Sequence, residues 1–517
     1  MTDGKTTGEE NLRPEITFPP EITVGIDIET CSYCVAVWNG TEVEYAVNKN
    51  NMKAYDQETL IKAKVFKMRR LIGRAETDPV IQVTRNLPFQ MLAIDDESPS
   101  SSPEEFLTSY LKDLKQLAES VLERSVRDLV LTHPVSFNRF QLTRIHDTCR
   151  KAGLQILQMI PQPTAVAFLY AQQQLKAASS SSDLKGEKTA LIFNMDSGYC
   201  DVAVIAATLE GKCRMKALAG SAIGGEDVIG NTMRLVIPDF KNKLKKKGRN
   251  KKLKSLRVEI LKVIHGLKDK RSVEFDLDLG DGRKIRKVVK KGEFEEVNRE
   301  VILTCERLIR RCLQDSKIKA NSLDDVIIVG EFGNMLKLHN LVPKKGVAMN
   351  PLEAALCGAA VAGAVASGIN DPSNLKLSIS PITSHSLGIR ANGNKFVCVI
   401  PRNTSLPVME VMKFTTSHDN QTEVLILVYE GEGKNAEENQ LLGHFRIIRL
   451  PQKPKGVLII EVVMEIDSLN KLRIGAGIFG PVEMPKPMID PTKFLDYEAL
   501  NRMFGDKMDL ATFVKKK

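Results

Sequence analysis

Apolar and polar positions along the chain repeat with two different periods. Residues 22–28 form an apolar, β-branched run, and Val35-Ala36-Val37-Trp38 forms a second one. The pair predicts a hairpin with its bend at 29–33. Ser102-Pro103-Glu104-Glu105 is a capping box with proline at the first helical position. Phe106, Tyr110, Leu114, Leu117 and Val121 then recur at helical spacing. A short apolar strand at 129–131 precedes a helix at 140–152, stopped by Gly153. A strand at 155–160 and a helix at 165–175 follow. Strands alternating with helices predict an α/β fold.

Beyond a serine-rich stretch at 179–186, a second strand-turn-strand unit spans 190–193 and 202–206. It echoes the first. Asp27 stands seven residues before Cys34, and Asn194 seven before Asp201; Val35-Ala36-Val37 matches Val202-Ala203-Val204. The echo predicts a duplicated unit. A strand at 326–329 ends at Gly330, and an alanine-rich helix at 351–366 carries Gly358 and Gly363, which permit close packing. From about 381 the pattern changes to short alternating runs at 396–400, 423–429, 444–448 and 457–466, separated by turn residues. That spacing predicts a β-sandwich.

The length of 517 residues calls for about three folding units at roughly 150 residues each. Apolar residues at 43% and charged residues at 27% fit a soluble globular chain. No run of eighteen apolar residues occurs, so no membrane span is expected. Residues 1–20 lack both secretory and mitochondrial patterning and read as a disordered leader of a cytoplasmic protein. Nine scattered cysteines argue against a disulfide framework. Cys31 and Cys34 make a C-x-x-C, open to a redox or metal reading, but one pair falls short of the four ligands of structural zinc. Two small residues in a turn is the plainer reading, and no metal site is expected. The net charge of +10 is concentrated in a lysine run at 241–254 without aromatic residues. This favours a solvated helix or loop over a nucleic-acid reader.

Several short motifs, in one order, carry a resemblance. They are Gly25-Ile26-Asp27-Ile28, Arg70-Leu71-Ile72-Gly73-Arg74, Pro163-Thr164-Ala165, Gly224-Gly225-Glu226-Asp227 and Asn350-Pro351 with Glu353-Ala354. In the β part they are Arg402-Asn403-Thr404, Phe414-Thr415-Thr416, Asp419-Asn420-Gln421, Val428-Tyr429-Glu430-Gly431-Glu432 and Leu442-Gly443. The chain resembles the 70-kDa heat-shock (DnaK-type) family, and within it a short lidless plant subclass. The resemblance implies an α/β, actin-like two-lobed ATPase domain followed by an all-β sandwich that binds peptides. Its parts would be lobe I at 21–185, lobe II at 186–368, a linker at 369–380, the sandwich at 381–480 and a tail at 481–517 with the helical lid mostly absent. ATP or ADP with magnesium would be the cofactor, by resemblance only. Unfolded or extended polypeptide segments, and co-chaperones, would be the partners of a monomer.

The positions matching the family's nucleotide site depart from its pattern. The first phosphate turn runs through Asp27, Glu29 and Thr30, with Glu29 where the family has glycine. A carboxylate about 4 Å from a phosphate costs on the order of 4 kcal/mol at an effective dielectric near 20. The second turn reads Asp196-Ser197-Gly198-Tyr199 in place of three glycines and a threonine. Among the hydrolytic positions Arg69 replaces a lysine, Gln162 a glutamate and Asn194 an aspartate, while Asp201 is kept. An amide cannot take up a proton as a carboxylate does. At the nucleoside end Leu261, Ile264 and His265 replace charged residues, and Glu331, Phe332 and Asn334 follow Gly330 in place of glycine, serine and arginine. Gly224, Gly225 and Gly330 remain, so nucleotide binding through the backbone stays open.

The positions matching the peptide pocket are Ile389, Phe414, Val424, Ile426 and Ile460, with Asn392 and Ser417 at the arch. All five pocket residues are apolar, as a pocket or as plain sandwich core. Lys376 and Ser378 interrupt the linker's leucine run and are expected to weaken domain docking. The expected function is a chaperone with a degenerate ATP site that holds apolar segments. An ATP-dependent folding chaperone and a non-catalytic scaffold are the alternatives.

Overall fold

The β-branched run at the start folds into the first strand of a five-stranded sheet. This computed structural model describes residues 22–28, 34–40, 42–47, 70–74, 78, 80–81, 102–180, 186–238, 249–278, 284–334, 347, 349–368, 377–478 and 510–514. Strands β1 (Thr23–Asp27), β2 (Cys34–Trp38) and β3 (Val43–Val47) form an antiparallel meander, with Val24 opposite Val37. Helix α1 (Pro103–Leu122) begins at the expected box: Glu105 N donates to Ser102 Oγ at 3.1 Å, and Ser102 N to Glu105 Oε2 at 2.9 Å. β4 (Asp128–His133), α2 (Arg139–Lys151) and β5 (Gln155–Pro161) follow, with both strands parallel to β1. Two parallel neighbours need a crossover, and α2 supplies it. Gly153 takes φ +75° where α2 turns into β5. The sheet order is β3-β2-β1-β4-β5. Helix α3 (Gln162–Ser180) then leads to the second lobe.

Lobe II repeats the plan. β6 (Glu187–Met195), β7 (Cys200–Thr208) and β8 (Lys212–Ser221) form the meander. Helices α4 (Gly225–Val236) and α5 (Arg249–Asp269), the hairpin β9 (Ser272–Asp278) and β10 (Lys284–Lys290), and helices α6 (Lys291–Val297) and α7 (Arg299–Ser316) follow. β11 (Asp325–Val329) then pairs parallel with β6, as β4 does with β1. The short echo in sequence therefore marks a structural repeat.

Helix α8 (Ala354–Ala366) is buried on nearly all sides and lies against β1, β2 and α3. Its small residues make this possible. A methyl group on Gly358 would strike the Ala165 carbonyl, and one on Gly25 would strike the α8 backbone at Ala360. The expected start at 351 moves to 354, because residues 351–353 form a turn.

The sandwich carries sheets β14-β13-β16-β17 and β19-β18-β15-β20. Its strands are β13 (Leu387–Ala391), β14 (Lys395–Ile400), β15 (Val408–Thr416), β16 (Glu423–Glu430), β17 (Gln440–Ile448), β18 (Ile459–Ile466) and β19 (Leu472–Ile478), with β20 (Leu510–Val514) returning from far down the chain. β20 pairs antiparallel with β15, Phe513 opposite Phe414. Residues 510–514 thus complete the sandwich, although the sequence reading ended it at 480. The physical reason is that β15 would otherwise be an open edge with unpaired backbone groups.

The linker also differs from expectation. β12 (Ser378–Ser380) pairs parallel with Lys212–Arg214 of β8, and Leu377 is buried. Serine at 378 and 380 alternates with the inward Ile379, so the polar substitutions fall on the solvent side of a strand. Lys376 lies outside the described residues. The sandwich is docked on both lobes. Phe140 of α2 is part of the sandwich core, and Arg139 Nη1 and Nη2 donate to Asn470 O (2.7 Å) and Oδ1 (3.0 Å). Arg402 pairs with Asp315 of α7 and donates Nε to Glu432 at 3.0 Å.

Among the described residues no helix is long and apolar enough to cross a membrane, and no cluster of ligating side chains could hold a metal ion. The cysteines described with their side chains are all free.

Candidate nucleotide cleft and peptide slot

The two meanders bring their bends together between the lobes. Strand β1 delivers Asp27 to one side, and β6 and β7 deliver Asn194, Asp196, Tyr199 and Asp201 to the other. Gln162 opens α3 between them and is fully buried. Its Nε2 donates to Asp27 Oδ1 at 3.1 Å and to Asp196 Oδ2 at 3.3 Å, and its Oε1 accepts from Asn194 Nδ2 at 2.8 Å. Thr132, on β4, donates its hydroxyl to Asp27 as well. A glutamate at 162 could not donate to two carboxylates, so the amide is what lets these acids share one buried space.

Asp201 is fully buried on β7. Its Oδ2 accepts from Val135 N at 3.0 Å, and its Oδ1 has no partner among the described residues. Burial pushes this carboxyl well above the usual range against the pull of the Val135 N–H, and nearby Asp196 and Asp27 push it further.

The start of α4 faces the second turn. Gly225 N donates to Asp196 O at 2.8 Å and Glu226 N to Ser197 O at 2.9 Å, while Gly224 N donates to Asp227 Oδ2 at 2.8 Å. The free N–H groups of a helix start, which could hold an anion, are here bonded to the protein itself. Gly330 closes β11 at φ +86°, packed on the Met195 carbonyl, and Gly225 lies against the fully buried ring of Phe332. Glu331 N donates to Asp196 Oδ1 at 3.1 Å.

Tyr199 is buried as well. It meets Phe137 edge-on at 5.4 Å, and the Arg70 guanidinium lies 5.7 Å from its ring centroid. Arg70 also donates to Gly198 O at 2.8 Å and to Asp227 Oδ2 at 2.7 Å, tying lobe I to the second turn. The sequence reading quoted Arg70 in a motif but gave it no role; only the fold brings it to residues 128 and 157 positions away. Of the other expected positions, Glu29, Thr30 and Arg69 lie outside the described residues. Ile264 faces the lobe II core, and His265 is exposed on α5.

In the sandwich, Ile389, Phe414, Val424, Ile426 and Ile460 come together as expected, from β13, β15, β16 and β18. All five have no exposed surface. They form the centre of the sandwich core and do not line an open slot. Asn392 is exposed in the β13–β14 turn, and Ser417 is buried, its N–H donating to Gln421 Oε1 at 2.8 Å.

The Hsp70 protein family model matches residues 23–516. The chain is 42% identical to heat shock 70 kDa protein 8 of Arabidopsis thaliana, covering all of this chain and 98% of that one. It is 30% identical to heat shock cognate 70 kDa protein 3 of Dictyostelium discoideum, over 88% of this chain and 78% of that one. With two repeated lobes, a docked linker strand and a β-sandwich matched from end to end, the chain belongs to the Hsp70 family of chaperones.

Proposed function

We propose that this chain holds exposed apolar segments of other polypeptides without turning over nucleotide, as a cytoplasmic monomer. The observation that carries the absence of turnover is the Gln162 amide bridging Asp27, Asp196 and Asn194, while family membership supports the binding of unfolded segments. In this family ATP or ADP with magnesium occupies the space between the lobes, and magnesium-bound water needs carboxylates free to accept. Here Asp27 is engaged by Gln162 and Thr132, and Asp196 by Gln162 and the Glu331 N–H. The α4 start donates to the chain's own carbonyls, and Phe332 fills the space over Gly225. The residues present do not fit a magnesium nucleotide.

The test has two arms. Calorimetric titration with magnesium-ATP is expected to give no saturable heat, and suppression of client aggregation is expected to be the same with and without ATP. Micromolar binding with turnover overturns the reading.

One observation favours a second reading, a scaffold that acts through its docked surfaces: the five slot residues are all buried. Val424→Phe separates the two. A holdase loses binding of an extended apolar peptide; a scaffold keeps its activity. A far-ultraviolet dichroism scan checks that the variant folds, since overpacking a core costs about 1–3 kcal/mol.

A further inference from the structure

Between lobe I and the sandwich lies a cavity of about 490 Å³, within the size range of small-molecule sites. Its walls come from both domains. Leu142, Leu157 and Met159 line it from α2 and β5, and Leu442, Leu469 and Leu472 from the sandwich. β5 is the edge strand of its sheet, so nothing in that sheet covers this side. Leu469 is 61% exposed at the rim of this apolar wall.

The charged lining has one sign. Arg139 and Lys471 contribute to it, with the His146 ring as a further hydrogen-bonding group, and no Asp or Glu does. Arg139 is already tied to Glu430 and Asn470, whereas His146 and Lys471 are exposed and enter no ion pair among the described residues. An apolar chamber with a cationic mouth is complementary to an elongated apolar tail ending in an anion.

We propose that this cavity binds a free long-chain carboxylate, its tail among the six apolar residues and its headgroup at Lys471 and His146. The site exists only while the two domains are docked, so the ligand would also shift the chain toward that state. The proposal is independent of nucleotide and of the sandwich slot.

Dodecanoate, titrated below its micelle concentration into the full chain, is the probe. Saturable one-to-one binding is expected, with dodecanol about tenfold weaker, or 1.4 kcal/mol. The double variant His146→Glu and Lys471→Glu is expected to weaken dodecanoate about tenfold and leave dodecanol unchanged. Leu157→Arg on lobe I and Leu469→Asp on the sandwich should each abolish binding of both. Absence of saturable binding overturns the proposal. So does equal affinity for dodecanol, indifference to Leu469→Asp, or competition by an extended peptide in place of the carboxylate.

Discussion

The lobe cleft and the sandwich meet the same demand, satisfying what they bury, in opposite ways. In the sandwich the positions resembling the family's slot remain apolar and vanish into a core that needs no partner. In the cleft, buried polar groups pair with one another: the Gln162 amide with carboxylates, Thr132 with Asp27, and Arg70 with Asp227 and the turn carbonyl. Packing tolerates change while volume and polarity are kept. A site built on charge does not, because every buried donor and acceptor must be re-paired when one member changes. A change at one residue of the cleft therefore disturbs more partners than a volume-conserving change in the sandwich core.

The largest expected effect tests whether the cleft is filled by packing. Phe332→Ala removes a fully buried ring from between lobe II and Gly225 and is expected to cost about 3–5 kcal/mol in denaturant unfolding. A cost below about 1 kcal/mol would mean that the ring merely occupies spare space, and the contrast with the sandwich core would fail.

A smaller effect comes from His133, at the end of β4. Its ring is fully buried and stacked on Phe137, its Nδ1 is 2.8 Å from Pro134 O, and its Nε2 has no partner among the described residues. Burial, against the opposing Pro134 carbonyl and with a smaller push from nearby His385, brings its pKa down to about 4. The neutral ring is the one that fits. Its contribution is complete above the unfolded value of 6.5 and fades as pH falls toward 4, by about 3 kcal/mol in all. His133→Phe is expected to flatten that part of the stability-against-pH curve; an unchanged slope would place the acid sensitivity elsewhere.

The smallest effect concerns docking. Arg402 of the sandwich pairs across the domain boundary with Asp315 of lobe II and is held by Glu432 of the sandwich itself, and Asn403 Oδ1 accepts from Leu218 N at 2.9 Å. Because Arg402 is partly solvated, Arg402→Ala is expected to weaken docking by about 1–2 kcal/mol. Faster protease cleavage of the linker at 369–376 is the measurement; no change would assign docking to the remaining contacts, among them Phe140, β12 and the Arg139–Asn470 hydrogen bonds.

Much of the fold was legible because it rests on local rules. Alternating and helical periods located β1, β2, α1, α2 and the sandwich strands β14, β16, β17 and β18 to within a few residues, and the Ser102 box and Gly153 marked a start and a stop. The repeated hairpin was visible through its spacing alone. Part of the cleft was legible too, since Gln162, Asn194 and Asp196 stood out as misfits at motif positions. Which groups they would bond was not, because Asp27 and Gln162 are 135 residues apart in sequence.

The sequence by itself determined the alternation of strands and helices, the duplicated hairpin and the amide side chains at 162 and 194, since each is a matter of residue type at a fixed spacing. Tertiary structure alone decided that Leu510–Val514 returns to close the sandwich, that the interrupted linker still pairs with β8, and that Arg70 locks the second turn. Those outcomes depend on which open edge or unpaired carbonyl lies nearest once the chain has collapsed, and no local pattern encodes that distance.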